Sequence, residues 1–291
     1  VTLNVRQAFF NARAQKDLVH VAKDTLENQE RHLKQIQGFV KVGARPDIDL
    51  AQARADRANA EVQLINASNA YANAKAQLNQ AMGIEARLDY DVNDESFHPV
   101  EGEALTIDTL MSEALRARPE VAQIAEQLHA QERTIDAALG GWFPALAAQA
   151  GLTDQGPGLG NLVWNWNVQI VLSWNVFQGF LTQQTVREAR AGYDAIEAQV
   201  ESLRLSIRLE LEQAFLAVQA AKAAFVASHE ALTNAKERLR LAESRYAIGV
   251  GNVIELGDAQ VALTAAAGQE VGASYSVAIA RAQLVKALGR R

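Results

Sequence analysis

Two stretches of this chain carry alanine at every seventh position, Ala53, Ala60, Ala67, Ala74 and Ala81, then Ala259, Ala266, Ala273, Ala280 and Ala287. A seven-residue period brings each alanine back to the same side of a helix, so each stretch writes one flat stripe that a neighbouring backbone can approach. Alanine is the best helix former, but propensity alone selects no period. The two stripes are related by a shift of 206 residues, and the same shift lays "VRQAFFNARAQK" (5–16) on "LEQAFLAVQAAK" (211–222). It also lays "KVGARPDIDLAQA" (41–53) on "AIGVGNVIELGDA" (247–259) and "ANAKAQLNQAMG" (72–83) on "AIARAQLVKALG" (278–289). The chain therefore contains two copies of one structural unit.

Each copy reads as a helical hairpin. In the second, Val218, Phe225, Leu232, Leu239 and Tyr246 recur every seven residues, with Ala221, Ser228, Ala235 and Ala242 between them. The first answers with Ala12, Val19, Leu26, Leu33 and Val40. These are coiled-coil seams. The tips carry turn chemistry: "GARPD" (43–47) and "GVGN" (249–252) put glycine where one helix ends, then Pro46–Asp47 or Asn252 where the next begins. A helix from about Thr182 to Tyr246 would run on the order of 100 Å at 1.5 Å per residue, which suits an elongated bundle. Between the copies, 84–107 loses the heptads and gains acids and Pro99, and Pro119 interrupts the helices that follow. The expected division is a first helical hairpin (1–83), an irregular connector (84–107), helices leading to a membrane (108–140), a β-hairpin (141–177) and a second helical hairpin (178–291).

That β-hairpin is expected from "VWNWNVQIVLSW" (163–174), which holds three of the four tryptophans; the fourth is Trp142. On a strand, Trp164, Trp166, Val168, Ile170, Leu172 and Trp174 share one face, while Asn165, Asn167, Gln169 and Ser173 share the other. Upstream, "FPALAAQAGLT" (143–153) alternates too, with Leu146 and Leu152 on its apolar face, and "DQGPGLGN" (154–161) supplies a Gly/Pro turn. The heptads already satisfy the helices, so the apolar face needs another partner. From Trp164 to Trp174 a strand rises about 33 Å, or roughly 25 Å when tilted, which matches the apolar band of an outer-membrane barrel with an aromatic girdle at each edge. One hairpin would leave backbone groups unpaired in hydrocarbon, so a closed barrel needs strands from further copies.

Composition narrows the function. A net charge of −6 and the absence of any basic run argue against nucleic-acid binding. There is no cysteine, hence no disulfide and no thiolate metal site. No stretch of about 18 uncharged apolar residues is present to make a transmembrane helix. His20, His32, His98, His129 and His229 are scattered without metal-ligand spacing, and no nucleophile or phosphate-loop motif occurs. No catalytic residue, metal or cofactor is expected, and the chain reads as a non-enzyme.

"RPEVAQ" (118–123), "GGWFPALAAQAG" (140–151), "VLSWNVFQGF" (171–180) and "RYAIGVGNVIELGDAQ" (245–260), in this order and with the duplication, resemble the TolC family of outer-membrane efflux channels. The resemblance covers essentially the whole chain. It implies a mainly α fold with a small β part: two repeated long antiparallel coiled-coil helical hairpins plus one transmembrane β-hairpin of an intermolecular β-barrel. It also implies a homotrimer in the bacterial outer membrane with a long periplasmic extension. Partners would be outer-membrane lipid, a periplasmic adaptor protein and, through the adaptor, an inner-membrane pump. The role would be passive export in a tripartite efflux or type I secretion system. The family's first strand hairpin, its preceding helix and an export signal have no counterpart here, and an N-terminally truncated chain is the expectation. The rivals are a periplasmic adaptor, which should show one hairpin flanked by β-rich domains, and a structural coiled-coil protein, which has no use for a tryptophan girdle.

The resemblance assigns roles by position. Glu255 and Asp258 share a face at the start of the last helix and match the family's acidic constriction, with Asp49 as the first copy's counterpart of Glu255. The plainer reading is an acidic first turn behind an Asn252 cap. Tyr246 matches a tip tyrosine that bonds between helices, and the family's nearby tip arginine is matched by Gly251. The tips, Val42, Gly43, Ala44, Arg45, Pro46 and Asp47 with Ile248, Gly249, Val250, Gly251, Asn252 and Val253, would dock the adaptor. Trp142, Leu146, Leu152, Trp164, Trp166, Val168, Ile170, Leu172 and Trp174 would face lipid. The exported substrate is left open among drugs, metal ions and protein.

Overall fold

The computed structural model describes residues 2–85, 90–93, 99–100, 103, 105–156, 160 and 163–290. The elements in chain order are α1 (Thr2–Lys41), α2 (Asp47–Met82), α3 (Ile107–Ala117), α4 (Pro119–Gly140), β1 (Ala145–Gln155), β2 (Val163–Ser173), α5 (Leu181–Ala247) and α6 (Val253–Ala287). The fold is mainly helical with one two-stranded antiparallel sheet. It divides into two compact units, residues 1–117 with 207–291, and residues 118–206; the long α5 contributes to both.

In the first unit α1 packs on α2 and on α6. The alanine stripes are where these helices close up. Ala53, Ala60 and Ala74 of α2 are buried, and so are their counterparts Ala259, Ala266 and Ala280 of α6. Without side-chain bulk at these positions a partner helix can sit close. The larger knobs fill the seam. Leu239, Ala242 and Tyr246 of α5 pack with Leu256 and Ala259 of α6 and with Ile36 and Ala53 of the first hairpin. Farther along, Leu211, Ala214 and Val218 of α5 meet Ala280 and Leu284 of α6 and Leu110 of α3.

The duplication is written in the backbone. Gly43 and Gly249 have φ of 72° and 84°, and Gly83 and Gly289 have 73° and 75°. Each pair is related by the sequence shift, one marking a tip and the other the end of a returning helix. A side chain with a Cβ rarely adopts this left-handed conformation, which is why glycine stands at all four ends. The tips differ in how the next helix starts. Asn252 caps α6, its Oδ1 accepting from the Glu255 N–H at 2.7 Å, whereas Pro46 precedes α2 with no side-chain cap.

A short piece of the connector is stapled to the first hairpin. Val92 is buried with Ala12, Ala74 and Leu78. Its N–H donates to the Asp91 carboxylate and to the Tyr71 hydroxyl, and its carbonyl accepts from Lys16 Nζ at 2.7 Å. Lys16 also pairs with Asp91 at 2.8 Å. The Lys16 ammonium and then the Tyr71 hydroxyl, both bonded to the Asp91 carboxylate, hold its pKa at about 2. Elsewhere Glu103 meets Arg281 of α6 and Lys222 of α5, and Arg290 forks onto Glu113 of α3 at 2.6 and 2.9 Å.

The second unit contains α4, the sheet and the start of α5. Leu146 pairs with Leu172, Ala148 with Ile170, Ala150 with Val168 and Leu152 with Trp166. On the opposite face Gln149 pairs with Gln169, Gly151 with Asn167 and Thr153 with Asn165. This register keeps every apolar side chain named above on one side, as the period of two requires. Gln169 Nε2 donates to Gln149 Oε1 at 2.7 Å across the polar face. Trp174 lies just past β2, and its Nε1 donates to the Trp142 carbonyl at 3.2 Å. Half of the turn at 154–161 (157–159 and 161), and His98, lie outside the described residues.

Candidate gate and membrane-facing surface

Two places gather the residues singled out in the sequence. At the helix tips, α5 ends at Ala247 and α6 begins at Val253, while α1 ends at Lys41 and α2 begins at Asp47. The two tips grip each other. Tyr246 is buried, and its hydroxyl donates to Asp49 Oδ2 at 3.1 Å, linking the second hairpin to the first. Asp49 is itself buried, although it is an acid in a first helical turn. Its position near the α2 N-terminus favours negative charge there, and the phenol satisfies one of its oxygens. Burial first, and then the Asp49 carboxylate, push the Tyr246 hydroxyl up to about 12. It therefore stays protonated and donates throughout the neutral range.

Arg45 supplies a second clasp. Its guanidinium donates to the carbonyls of Tyr246, at 2.8 Å, and Gly251, at 3.2 Å. The same group lies 4.3 Å from the centre of the Tyr246 ring. Carbonyls at a helix C-terminus lack intrahelical partners, so a cation at the end of α5 meets both the hydrogen-bonding need and the dipole. Arg45 is the counterpart of Gly251 in the other copy of the repeat. Gly251 must also stay small, because a Cβ there would lie 2.9 Å from the Tyr246 backbone nitrogen.

The acids of α6 behave differently from one another. Glu255 pairs with Arg245 of α5 at 3.0 Å, tying the turn of its own hairpin. Asp258 is exposed and, among the described residues, unpaired. Tyr246 and Asp49 are thus brought together, Glu255 is beside its cap, and Asp258 stands apart from any charge partner. Of the tip residues, Val42, Ile48, Ile248, Val250 and Ile254 project large apolar side chains into solvent, whereas Arg45 and Gly251 are engaged within the clasp. Among the described residues no group of three or more His, Asp or Glu side chains could hold a metal ion.

The other place is the apolar face of the sheet. Trp164, Trp166, Val168, Ile170, Leu172 and Trp174 are between 60% and 74% exposed, and Leu146 and Leu152 are exposed with them. Trp142 is half exposed at 52%. Among the described residues no element covers that face. A contiguous apolar surface of this kind marks an interaction site. No helix among the described residues is long and apolar enough to cross a membrane.

Some of this was missed in sequence. Arg45 was read only as a tip contact, and its role in joining the hairpins appears once the carbonyls of Tyr246 and Gly251 are seen beside it. Asp91, Val92 and Lys16 were not singled out at all, since the connector has no period to read.

The profile of the outer membrane efflux protein family matches residues 1–84 and 110–290. The chain belongs to that family. It is 23% identical to the outer membrane protein TolC of Escherichia coli, over 99% of this chain and 61% of that protein. It is also 23% identical to the probable efflux pump outer membrane protein TtgC of Pseudomonas putida, over 98% of this chain and 60% of that protein. The chain thus spans about three fifths of the length of these curated relatives. Among solved structures, CusC superposes with a TM-score of 0.82 at 21% identity, covering 99% of this chain and 68% of that one. The open state of the Neisseria gonorrhoeae MtrE outer membrane channel gives 0.78 at 21%, with 99% and 65% covered. These likenesses establish the fold.

Proposed function

We propose that this chain is the larger part of an outer-membrane channel protomer, a passive export conduit of a tripartite efflux or type I secretion system. It acts as a homotrimer, with its helices extending into the periplasm. The observation that carries this reading is the uncovered apolar face from Trp164 to Trp174, backed by a polar face of amides on the same strands. A sheet apolar on one side and amide-lined on the other suits a wall between lipid and water. Relatives named as efflux pump outer membrane proteins support the same reading.

The tips form the gate. Tyr246 with Asp49 and Arg45 with the 246–251 turn hold the two hairpins of one protomer together in the closed state. Opening breaks these bonds when an adaptor docks at the exposed tip residues, including Val42, Ile248 and Val250. Asp258, unpaired, is the acid best suited to a cation-attracting constriction once three copies are assembled; Glu255 serves its own turn first.

The test is conductance of the purified full-length protein in planar bilayers. Stepwise channels that widen or open more often in Tyr246→Phe with Arg45→Ala support the gate. A protein that inserts no channels with or without these substitutions contradicts the proposal.

A further inference from the structure

The first unit is built differently at its two ends. Away from the tips, Leu211 and Val218 of α5, Leu284 of α6 and Leu110 of α3 form an apolar cluster. The Glu103 side chain beside it is 6% exposed and is held from three sides. It accepts from the Val100 N–H at 3.1 Å and pairs with Arg281 of α6 and Lys222 of α5. Toward the tips the interior turns polar. Among the described residues, the buried polar residues of this unit are His32 of α1, Asp49 of α2 and Gln260 of α6. His32 has Glu243 at 3.2 Å, and Asp49 has the Tyr246 hydroxyl.

Gln260 is the exception. It is 4% exposed, and its Nε2 is buried with no hydrogen-bond partner. The Thr25 and Thr264 hydroxyls join α1 to α6 one turn away, 3.1 Å apart, yet neither bonds to that nitrogen. An amide taken out of water and left unpaired raises the free energy of the state that buries it. Native structures rarely keep such a group without a reason, and stored strain is one. Here the strained arrangement is the one in which α6 lies against α1 with the tips clasped. Water is close by, in the groove between α2 and α6 that Gln260 borders with Thr25 and Gln29. A small shift of α6 away from α1 would hydrate the amide and release the strain.

We propose that Gln260 is a spring set into the clasped tips: its unpaired amide disfavours the closed packing of α6 on α1 and so lowers the work of parting them. The clasp of Tyr246, Asp49 and Arg45 holds the hairpins together, and Gln260 pushes against it. The balance between the two sets how readily the tips separate, because a two-state element responds to the difference between its states. The apolar and ionic packing at the far end stays in place and confines the movement to the tip half. That the movement opens a pore rests on the gate reading above; the strain does not.

The experiment replaces the amide by an apolar group of the same length, Gln260→Met, in the full-length protein. Two readouts are taken: amide hydrogen exchange at 246–256, and the frequency of channel openings in planar bilayers. With the strain removed, exchange at the tips should slow about tenfold and openings should become about tenfold rarer. Gln63→Met is the control. Gln63 borders the same groove but is exposed, so its amide is already hydrated and the variant should match the parent in both readouts. Tip exchange in Gln260→Met that is unchanged or faster overturns the proposal. So does an equal response to Gln63→Met. Gln260→Leu repeats the test with a different apolar shape. If circular dichroism shows that neither variant folds, the amide supports the fold rather than straining it, and the proposal falls. The two readouts separate this idea from the gate reading. Slower exchange with unchanged openings keeps the strain and discards its role in the gate, whereas slower exchange in a protein that forms no channels discards the channel reading alone.

Discussion

The Tyr246 hydroxyl donates to the Asp49 carboxylate across 197 residues of sequence, and both residues are buried at the place where the two helical hairpins meet. This bond joins one copy of the duplicated unit to the other. Tyr246→Phe keeps the ring and its packing but leaves a buried carboxylate oxygen unpaired. The folded state should lose about 1–3 kcal/mol, read by chemical denaturation, and amide exchange near the tips should quicken. An unchanged midpoint and unchanged exchange would show that the bond holds nothing together.

Arg45 differs from a lysine at the same place. The planar guanidinium reaches two carbonyls and stacks on the Tyr246 ring, which an ammonium cannot do at once. Arg45→Lys should therefore behave like Arg45→Ala, with amides 246–251 exchanging faster in both. Full protection in the lysine variant would mean that charge at the end of α5 suffices.

His32 gives the contact between α1 and α5 a pH dependence. Burial lowers its pKa below the ordinary 6.5, while Glu243, 3.2 Å away, pulls the other way and Arg31 adds to the lowering. Between that lowered value and 6.5 the unfolded chain binds more protons than the folded one. Stability from this group is thus complete above about pH 6.5 and is lost as pH falls through the folded pKa. His32→Gln should flatten the fall in Tm between neutral and mildly acidic pH. A His32 that titrates by NMR above 6.5 would reverse the sign and refute the account.

On β2, Ile170 is the midpoint of the apolar face. Ile170→Arg should cost about 2–4 kcal/mol if that face lies at the centre of a bilayer, and the variant should fold and insert poorly into vesicles. Gln169→Arg, one residue away on the polar face, should insert normally. Equal behaviour of the two would mean that the faces are not divided between lipid and water.

The fold was legible where the sequence has a period. Seven-residue alanines and the shifted copy specify paired helices, and strict alternation around Trp166 specifies the strand and its faces. Glycines at the tips were legible because a left-handed residue is needed there. What stayed hidden were contacts between elements far apart in the chain. Nothing in the local pattern of Arg45 says that its partner is the carbonyl of Gly251, its own counterpart in the repeat. Gln260 gave no signal either, because burial without a partner is a property of the assembled helices. The connector was opaque for a related reason: Val92 is held by side chains of α1 and α2 rather than by a pattern of its own.

The most direct test of the central claim uses the tryptophans, all four of which lie at 142–174 in this chain. The protein is reconstituted in vesicles whose acyl chains carry bromine at graded depths, with Trp166 or Trp174 replaced by Phe to assign the signal. If the strands form a barrel wall, bromine in the chains quenches the emission, and each replacement removes a quenched component. Emission that is indifferent to bromine at every depth, with the tryptophans open to aqueous iodide instead, would contradict it.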